Sequence, residues 1–279
     1  MNHRPRKRFG QNFLVDPSFV EAIVDAIGAT AGDQLIEIGP GRGALTQALL
    51  SRSINRLEVI EIDRDLIQLL ANRFGAKIKI HHQDVLSFDF NQLLLSDQKI
   101  RLVGNLPYNI STPFLFHLIK FPQLFSDCHF MLQKEVVNRL SAEPGSRRYG
   151  RLTIMIQLEF DVDPVFDVPP TAFQPIPKVE STFVRLIPKQ NTLESIEDRS
   201  LFDRIIKLAF GQRRKRLNNA LSDLIAKSDW QKLTIDPTLR PEALSIADYV
   251  ILSNEVSKLV EHPHSNNHEN CHGHSNTRG

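Results

Sequence analysis

The sequence has little cysteine and no long apolar run. Cys128 and Cys271 are its only cysteines, which is too few for a disulfide framework and favours a reducing compartment. No stretch approaches the roughly 18 consecutive apolar residues of a membrane-spanning helix, and no apolar segment near the N-terminus indicates a secretory signal. We therefore expect a cytoplasmic protein that does not enter a membrane.

Neither positive nor negative charge is in large excess over the whole chain. Its 279 residues carry 34 lysines and arginines against 32 aspartates and glutamates, a net charge of +2. Hydrophobic residues make up 41% and charged residues 24%, which is ordinary for a globular protein and excludes a collagen-like or wholly disordered chain. The length predicts two domains, or one large domain.

The basic residues are nevertheless concentrated at two places. One group precedes the first acid, Asp16, and the other lies in the last third of the chain: Arg4, Arg6, Lys7 and Arg8, then Arg213, Arg214, Lys215 and Arg216. Clustered cations are typical of surfaces that contact phosphates. A solvated arm and a solvated helix face would also explain them, but two clusters in a nearly neutral chain favour nucleic acid as the partner.

From Asp16 onward the apolar pattern alternates between helix and strand. Asp16 and Pro17 predict a helix N-cap and first turn, and Gly28 predicts the end of that helix. Strands separated by helices are predicted at 35–38, 57–62, 77–82, 100–104 and 128–132. This alternation predicts a parallel sheet covered on both faces. Further strands at 162–168 and 182–187 are predicted to form an antiparallel edge.

Composition divides the chain into four segments. We predict a basic arm over 1–15, an α/β domain over 16–188, a small all-α domain over 189–261 and a disordered tail over 262–279. The tail holds five of the ten histidines together with Cys271. Its spacing matches no zinc finger, so we expect no metal site there.

Glycine and acidic residues follow the predicted strands, where an open α/β sheet binds its ligands. The run Glu37-Ile-Gly-Pro-Gly-Arg-Gly43 comes after the first strand, and its glycines let the backbone approach a ligand closely. Glu61 ends the second strand and suits a ribose diol, while Asp84 follows the third and suits an adenine amino group. The alternative role of the glycine run is a tight turn between strand and helix, and the alternative role of Asp84 is a simple cap. Together these residues predict an adenosine-containing cofactor, either NAD or S-adenosyl-L-methionine.

The run Asn105-Leu-Pro-Tyr108 after the fourth predicted strand decides between these two cofactors. It resembles the [N/D]-P-P-[Y/F] signature of methyltransferases that act on the amino group of adenine. That amine is a poor nucleophile because its lone pair is delocalised into the ring. The Asn105 amide oxygen and the Leu106 carbonyl can accept its N–H bonds and aim the lone pair at a methyl group. Tyr108 can stack on a base that has left its own stack.

Six ordered stretches extend this resemblance over about residues 4–260. They lie at 7–14, 37–43, 104–111, 130–137, 169–179 and 210–217. In these stretches the chain resembles the ribosomal RNA small subunit methyltransferase A family, the dimethyladenosine transferases.

The resemblance implies a fold, a reaction and a partner. The fold would be a Rossmann-like class I methyltransferase domain, α/β with a seven-stranded, mostly parallel sheet, followed by a small all-α domain. The reaction would be dimethylation, by S-adenosyl-L-methionine, of two adjacent adenines in the hairpin loop near the 3′ end of small-subunit (16S) rRNA. The partner would be this rRNA within a pre-30S particle, late in small-subunit biogenesis, and the protein would act as a monomer.

The resemblance also assigns residues to sites. The expected cofactor residues are Asn12, Leu14, Gly39, Gly41, Glu61, Asp84 and Asn105, and the expected base-holding residues are Asn105, Leu106, Pro107 and Tyr108. The expected RNA contacts are Arg6, Lys7, Arg8, Arg147, Arg148, Phe173, Arg213, Arg214, Lys215 and Arg216. Phe173 is expected to cover the base opposite Tyr108, with simple packing as its alternative role. Arg42 departs from the apolar residue expected in some relatives and adds a charge to the cofactor loop.

Three other functions stay open on the sequence alone. Related methyltransferases modify large-subunit rRNA, although the run over 210–217 and the full-length match favour the small-subunit family. A non-catalytic assembly or transcription factor on the same fold would have no need of an intact 105–108 run. An NAD-dependent dehydrogenase would need an acid or base for hydride transfer, a role that the 105–108 run does not fill.

Overall fold

The structure, a computed structural model, describes residues 11–54, 56–94, 98–190 and 195–261. The chain divides into two compact units, Met1–Leu193 and Glu194–Gly279. Three of the residues expected to contact RNA, Arg6, Lys7 and Arg8, lie outside the described residues, as does the histidine-rich tail over 262–279.

Strands in the described part of the first unit build one large sheet and one small one. They are β1 (Phe13–Leu14), β2 (Gln34–Ile38), β3 (Arg56–Glu61), β4 (Lys79–His82), β5 (Ile100–Asn105), β6 (Phe125–Gln133), β7 (Phe160–Val168), β8 (Phe173–Gln174) and β9 (Ser181–Pro188). The large sheet has the order β4-β3-β2-β5-β6-β9-β7, and β1 pairs with β8. Strands β2 to β6 run parallel, while β9 is antiparallel to both of its neighbours. The predicted parallel sheet with an antiparallel edge is confirmed.

Helices of the first unit connect the strands and cover the sheet. They are α1 (Pro17–Ile27), α2 (Ala44–Ser51), α3 (Arg64–Phe74), α4 (Ser111–Leu118), α5 (Lys134–Leu140) and α6 (Arg151–Glu159). The start and end of α1 are as predicted: the Asp16 side chain accepts from the Ser18 amide at 2.9 Å, and Gly28 ends the helix with a φ of +56°. An N-cap side chain and a left-handed glycine satisfy backbone groups that a helix leaves unpaired at its two ends.

The sheet is buried on both faces, as its apolar strands require. Because successive strand residues point to opposite faces, the neighbours Leu102 and Val103 of β5 belong to different hydrophobic clusters. One cluster joins Leu102 to residues of α4 and α6, and the other joins Val103 to residues of α1, α2 and α3. The helices therefore exclude water from both sides, and the carboxyl ends of the strands remain as the place for a ligand.

Strand β1, its partner β8 and helix α6 differ from the prediction. Residues 13 and 14, expected within a basic arm, form β1 and are each 7% exposed. They are held by pairing with β8 and by a hydrogen bond of 2.9 Å from the Val15 amide to the Ala172 carbonyl. Helix α6 was not predicted, since it is buried on most sides, with the polar Thr153 and Glu159 among its buried residues, and shows no amphipathic period.

The second unit is helical in its described part. Helix α7 (Arg199–Gly211) begins at the Asp198 cap and buries Leu201, Phe202, Ile205, Ile206 and Ala209 at helical spacing. A short helix, α8 (Leu217–Ala220), and the long α9 (Ile246–Glu261) follow. Tyr249 of α9 is buried and donates from its hydroxyl to the Pro241 carbonyl at 2.8 Å. Among the described residues of the chain, no helix is long and apolar enough to cross a bilayer.

Candidate active site

A cavity lies where the carboxyl ends of β2, β3 and β5 meet. Its walls contain nine of the ten residues expected to hold the cofactor or the base: Asn12, Gly39, Gly41, Glu61, Asp84, Asn105, Leu106, Pro107 and Tyr108. The topology explains this convergence, because β2 is paired with β3 on one side and with β5 on the other. Ligands of open α/β sheets bind at such carboxyl ends.

The glycine loop after β2 needs the freedom of glycine at a definite position. Gly41 has a φ of +57°, and a Cβ built on it would lie 2.8 Å from Cδ1 of Phe13. Gly39 has a φ of +61°, and its amide donates to the Ile60 carbonyl at 2.9 Å. The backbone of the loop therefore stays close to the ends of β2 and β3, and the cavity beside the loop stays open.

Glu61, the last residue of β3, presents a buried carboxyl group to the cavity. It is 7% exposed, and its Oε1 accepts from the amides of Ile62 at 2.8 Å and Asp63 at 2.9 Å. Burial raises its pKa above the ordinary value, while these amide hydrogen bonds act in the opposite direction. A carboxylate held in this way is an acceptor suited to the two hydroxyls of a ribose.

Asp84 serves as a cap and also lines the cavity. Its Oδ1 accepts from the Leu86 amide at 2.9 Å and begins a short 3₁₀ turn, Val85–Ser87. The capping role that the sequence offered as an alternative is therefore present. Asp84 is exposed at the cavity wall. The hydrogen bond of the cap fixes the orientation of its carboxylate there.

Asn105 is oriented by the segment that precedes α1. Its Nδ2 donates to the Asn12 main-chain carbonyl at 2.9 Å, which fixes the plane of the side-chain amide. The next residues are held through their backbone: the Leu106 amide donates to the Met131 carbonyl at 3.3 Å, and the Pro107 carbonyl accepts from the Ile110 amide at 3.1 Å. The run after β5 is therefore fixed at both of its ends.

Tyr108 is half-buried, and its hydroxyl has a specific partner. That hydroxyl shares a hydrogen bond of 2.7 Å with Oγ of Ser181, the first residue of β9. Burial raises the pKa of Tyr108, so its side chain is a neutral phenol at ordinary pH. An aromatic ring with a neutral hydroxyl can stack on a base without bringing a charge into the cavity.

Two expected site residues lie elsewhere. Leu14 lines an adjoining cavity, where Gly39 and Asn105 form part of the wall. Phe173 of β8 is 1% exposed and packs in the hydrophobic cluster that contains Leu14 and Met131. The expectation that Phe173 covers the target base is therefore wrong for this structure, because pairing of β8 with β1 turns the ring into the core.

The structure adds site residues that the motifs did not identify. Ile62 and Val85 line the cavity, and Ile62 is 42% exposed although it is apolar. Ile62 directly follows Glu61 and Val85 directly follows Asp84, and this position after a predicted site residue was the one sequence signal that could have identified them. Gln11 donates from Nε2 to Asp63 Oδ2 at 3.3 Å, which ties the segment before β1 to the N-cap of α3.

The model of the family described as ribosomal RNA adenine dimethylase matches residues 2–258. The chain belongs to this family. It is similar to ribosomal RNA small subunit methyltransferase A of Thiobacillus denitrificans, with 53% identity over 88% of this chain and 96% of that protein. The same-named protein of Pseudomonas aeruginosa is 50% identical over 92% of this chain and 96% of its own length. The chain is therefore a methyltransferase of the S-adenosyl-L-methionine-dependent class.

Solved structures support the fold assignment. A dimethyladenosine transferase from Plasmodium falciparum superposes with a TM-score of 0.72 at 25% identity, over 88% of this chain and 98% of that chain. The 23S rRNA methyltransferase ErmE gives a TM-score of 0.63 at 20% identity, over 88% of this chain and 100% of that one, which shows a shared fold alone.

The residues around the cavity fit S-adenosyl-L-methionine. Glu61 offers an acceptor for a ribose diol, and the exposed apolar surface of Ile62 suits the face of a purine. At Gly41 any side chain would collide with Phe13 and displace a wall of the cavity.

Basic residues expected to contact RNA are exposed or partly exposed where the structure describes them. Arg147 and Arg148 are exposed in the segment between α5 and α6, and Arg214, Lys215 and Arg216 are exposed after α7. Arg213 lies 3.8 Å from Glu242 and is partly shielded. Arg42 has a different role from a free surface charge, because its guanidinium carbon lies 4.8 Å from the centre of the Phe13 ring.

Proposed function

We propose that this protein transfers methyl groups from S-adenosyl-L-methionine to the exocyclic amines of two adjacent adenines in small-subunit rRNA. The target would be the hairpin loop near the 3′ end of 16S rRNA, within a pre-30S particle late in biogenesis. Both the relatives at about half identity and the residues at the cavity support this proposal.

The observation that carries the proposal is the placement of the 105–108 run beside Glu61. Asn105 and Tyr108 line the same cavity as Glu61 and Asp84, so a base and an adenosine cofactor would meet there. The amide of Asn105 donates through Nδ2 to Asn12, which leaves Oδ1 directed away from that bond. An acceptor oxygen is what an adenine amine, a donor of two N–H bonds, requires.

The protein's part in the reaction is mainly positioning. When bound, the cofactor would supply a methyl group on a sulfonium: the S–CH₃ bond would break as the N–C bond forms, and a neutral thioether would leave. The Asn105 oxygen and the Leu106 carbonyl accept the two N–H bonds of the amine, so its lone pair turns out of the ring plane and toward the methyl carbon. Because the amine becomes acidic only after the new N–C bond forms, these oxygens act as acceptors and the proton then passes to water. Holding two reactants in line contributes much of such an acceleration.

The base must be presented outside its own stack, and the basic residues would hold the surrounding RNA. Tyr108 offers a stacking surface, worth about 1–3 kcal/mol per base. Exposed arginines such as Arg147 and Arg148 would contact phosphates, which position the RNA and carry little sequence choice. Affinity for rRNA should therefore fall as the salt concentration rises.

The direct test uses small ribosomal subunits that lack the modification, with large subunits as a parallel substrate. Labelled methyl from S-adenosyl-L-methionine should enter small subunits and be recovered as dimethyladenosine, approaching four methyls per subunit if two adenines are each dimethylated. The Asn105→Ala variant is the matched control and should transfer none. Incorporation into large subunits alone would place the protein with the related methyltransferases that modify large-subunit rRNA. No incorporation into either, with cofactor and RNA still bound, would favour a non-catalytic assembly factor.

A further inference from the structure

The hydrogen bond between Tyr108 and Ser181 joins the 105–108 run to a distant strand. Ser181 is fully buried, and its backbone is paired with Gln133 of β6 and with Val168 of β7. Its hydroxyl therefore lies at a fixed point of the sheet. The phenol hydroxyl of Tyr108 reaches that point at 2.7 Å.

The rest of the run is already held through its backbone, so the ring of Tyr108 is the part that needs a separate anchor. The Pro107 carbonyl accepts from the Ile110 amide at 3.1 Å and from the Ser111 hydroxyl at 3.2 Å, which fixes the chain on the C-terminal side of the ring. Two side-chain torsions of the tyrosine remain. A bond at the far end of the ring restricts both of them at once.

We propose that Ser181 is a positioning residue for methyl transfer, whose hydroxyl holds the Tyr108 ring in the orientation that the target adenine stacks against. This inference rests on the proposed function. Ser181 itself lies on the sheet at the hydroxyl end of the ring, and Tyr108 is the residue that would contact the base. The role is specific to the hydroxyl of Ser181, because its backbone serves β9 in any case.

Loss of the bond should slow the chemical step and leave binding unchanged. The cofactor residue Glu61 lies on β3, away from Ser181 in the strand order. Affinity for rRNA depends mainly on phosphate contacts. We therefore expect Ser181→Ala to lower the single-turnover rate of methyl transfer by about 2- to 12-fold, the factor that corresponds to one net hydrogen bond. The cofactor Kd and the KM for small subunits should stay within about twofold of the wild-type values.

The experiment compares Ser181→Ala, Tyr108→Phe and the double variant with the wild-type protein on unmodified small subunits. Tyr108→Phe removes the same bond from its half-buried partner. Each single variant should be slowed by a similar factor, and the double variant should be no slower than the slower single variant, because one bond is lost in all three. A double variant slowed by the product of the two single factors would overturn the proposal.

Thr182→Val is the matched control for general damage to β9. The Thr182 hydroxyl donates to Asp167 Oδ1 at 2.6 Å, so this variant loses a side-chain hydrogen bond from the neighbouring residue on the other face of the strand. It should lose stability to a similar degree in thermal unfolding and still transfer methyl at the wild-type rate. If Thr182→Val slows transfer as much as Ser181→Ala, the positioning role is refuted.

The outcomes separate this inference from the proposed function. A wild-type protein that transfers no methyl to small subunits would refute the function, and this inference with it. An active wild-type protein with an equally active Ser181→Ala variant would refute the inference alone. If Ser181→Ala does not fold, Tyr108→Phe still decides, because a wild-type rate in that variant shows that the bond does not matter.

Discussion

Replacing Gly41 by alanine tests how the cofactor loop is built. Gly41 has a φ of +57°, and its added Cβ would lie 2.8 Å from Cδ1 of Phe13. Gly28 provides a matched control, since its φ is +56° and the nearest atom to an added Cβ, the Asp25 carbonyl oxygen, is 3.7 Å away. The two substitutions therefore share the backbone strain, and only Gly41→Ala adds a collision.

The expected magnitudes follow from these distances. A left-handed backbone costs a non-glycine residue about 1–2 kcal/mol, which is partly offset because alanine restricts the unfolded chain. Gly28→Ala should therefore lower the free energy of unfolding by about 1 kcal/mol. Gly41→Ala must also displace the Phe13 ring, and overpacking of this kind costs about 1–3 kcal/mol more.

Cofactor affinity is the more direct measurement. Phe13 lines the cavity, and the carbonyl of its neighbour Asn12 orients Asn105, so a shift of this segment should weaken binding of S-adenosyl-L-methionine at least about tenfold. Titration calorimetry with Gly28→Ala should give the wild-type Kd. If Gly41→Ala binds the cofactor as the wild-type protein does and unfolds no more easily than Gly28→Ala, the assignment of this loop to the cofactor is wrong.

The remaining predictions concern single side chains. Asn105→Ala should abolish methyl transfer and leave rRNA binding largely intact in a filter-binding assay, and a normal transfer rate would contradict its assigned role. Glu61→Ala should weaken cofactor binding far more than RNA binding. In the wild-type protein, cofactor affinity should fall as the pH drops through the raised pKa of Glu61, since a protonated carboxyl accepts fewer hydrogen bonds. Burial raises the pKa of Glu37 from 4.5 to about 7, so its contribution to the free energy of unfolding is present below pH 4.5 and is lost as the pH rises to about 7. Chemical unfolding of Glu37→Gln should then show a flatter pH profile than that of the wild-type protein.

Local signals were sufficient for the parallel sheet of the first unit and its first helix. The apolar runs of β2, β3 and β5 are short and are bounded by turn residues. Along the chain they alternate with segments whose apolar residues have helical spacing, so both the strands and their parallel arrangement could be predicted. Asp16, Pro17 and Gly28 fixed the ends of α1 because each satisfies a backbone requirement within a few residues. Helix α6 gave no such signal, since a helix buried on most sides lacks the polar face that produces a period.

The site residues divide in the same way. Glu61 and Asp84 could be placed because the end of a strand and the start of a turn are local features. Phe173 could not be placed, because its orientation depends on a two-residue strand that pairs with Phe13 and Leu14 far away in the chain. An aromatic residue in a matching motif suits a stacking role or a packing role equally well until that pairing is known.

Long-range contacts decide what the 105–108 run can do. The amide of Asn105 is oriented by a carbonyl 93 positions earlier in the chain, and the hydroxyl of Tyr108 by a serine 73 positions later. Neither partner is part of the run, yet both reach it because β5 lies in the middle of the sheet, with the segment before α1 crossing its end and β9 next to β6. The motif thus supplies the acceptor and the ring, and the topology supplies their orientation. A variant that keeps all four residues of the run and loses Ser181 should therefore still bind both substrates, but react more slowly.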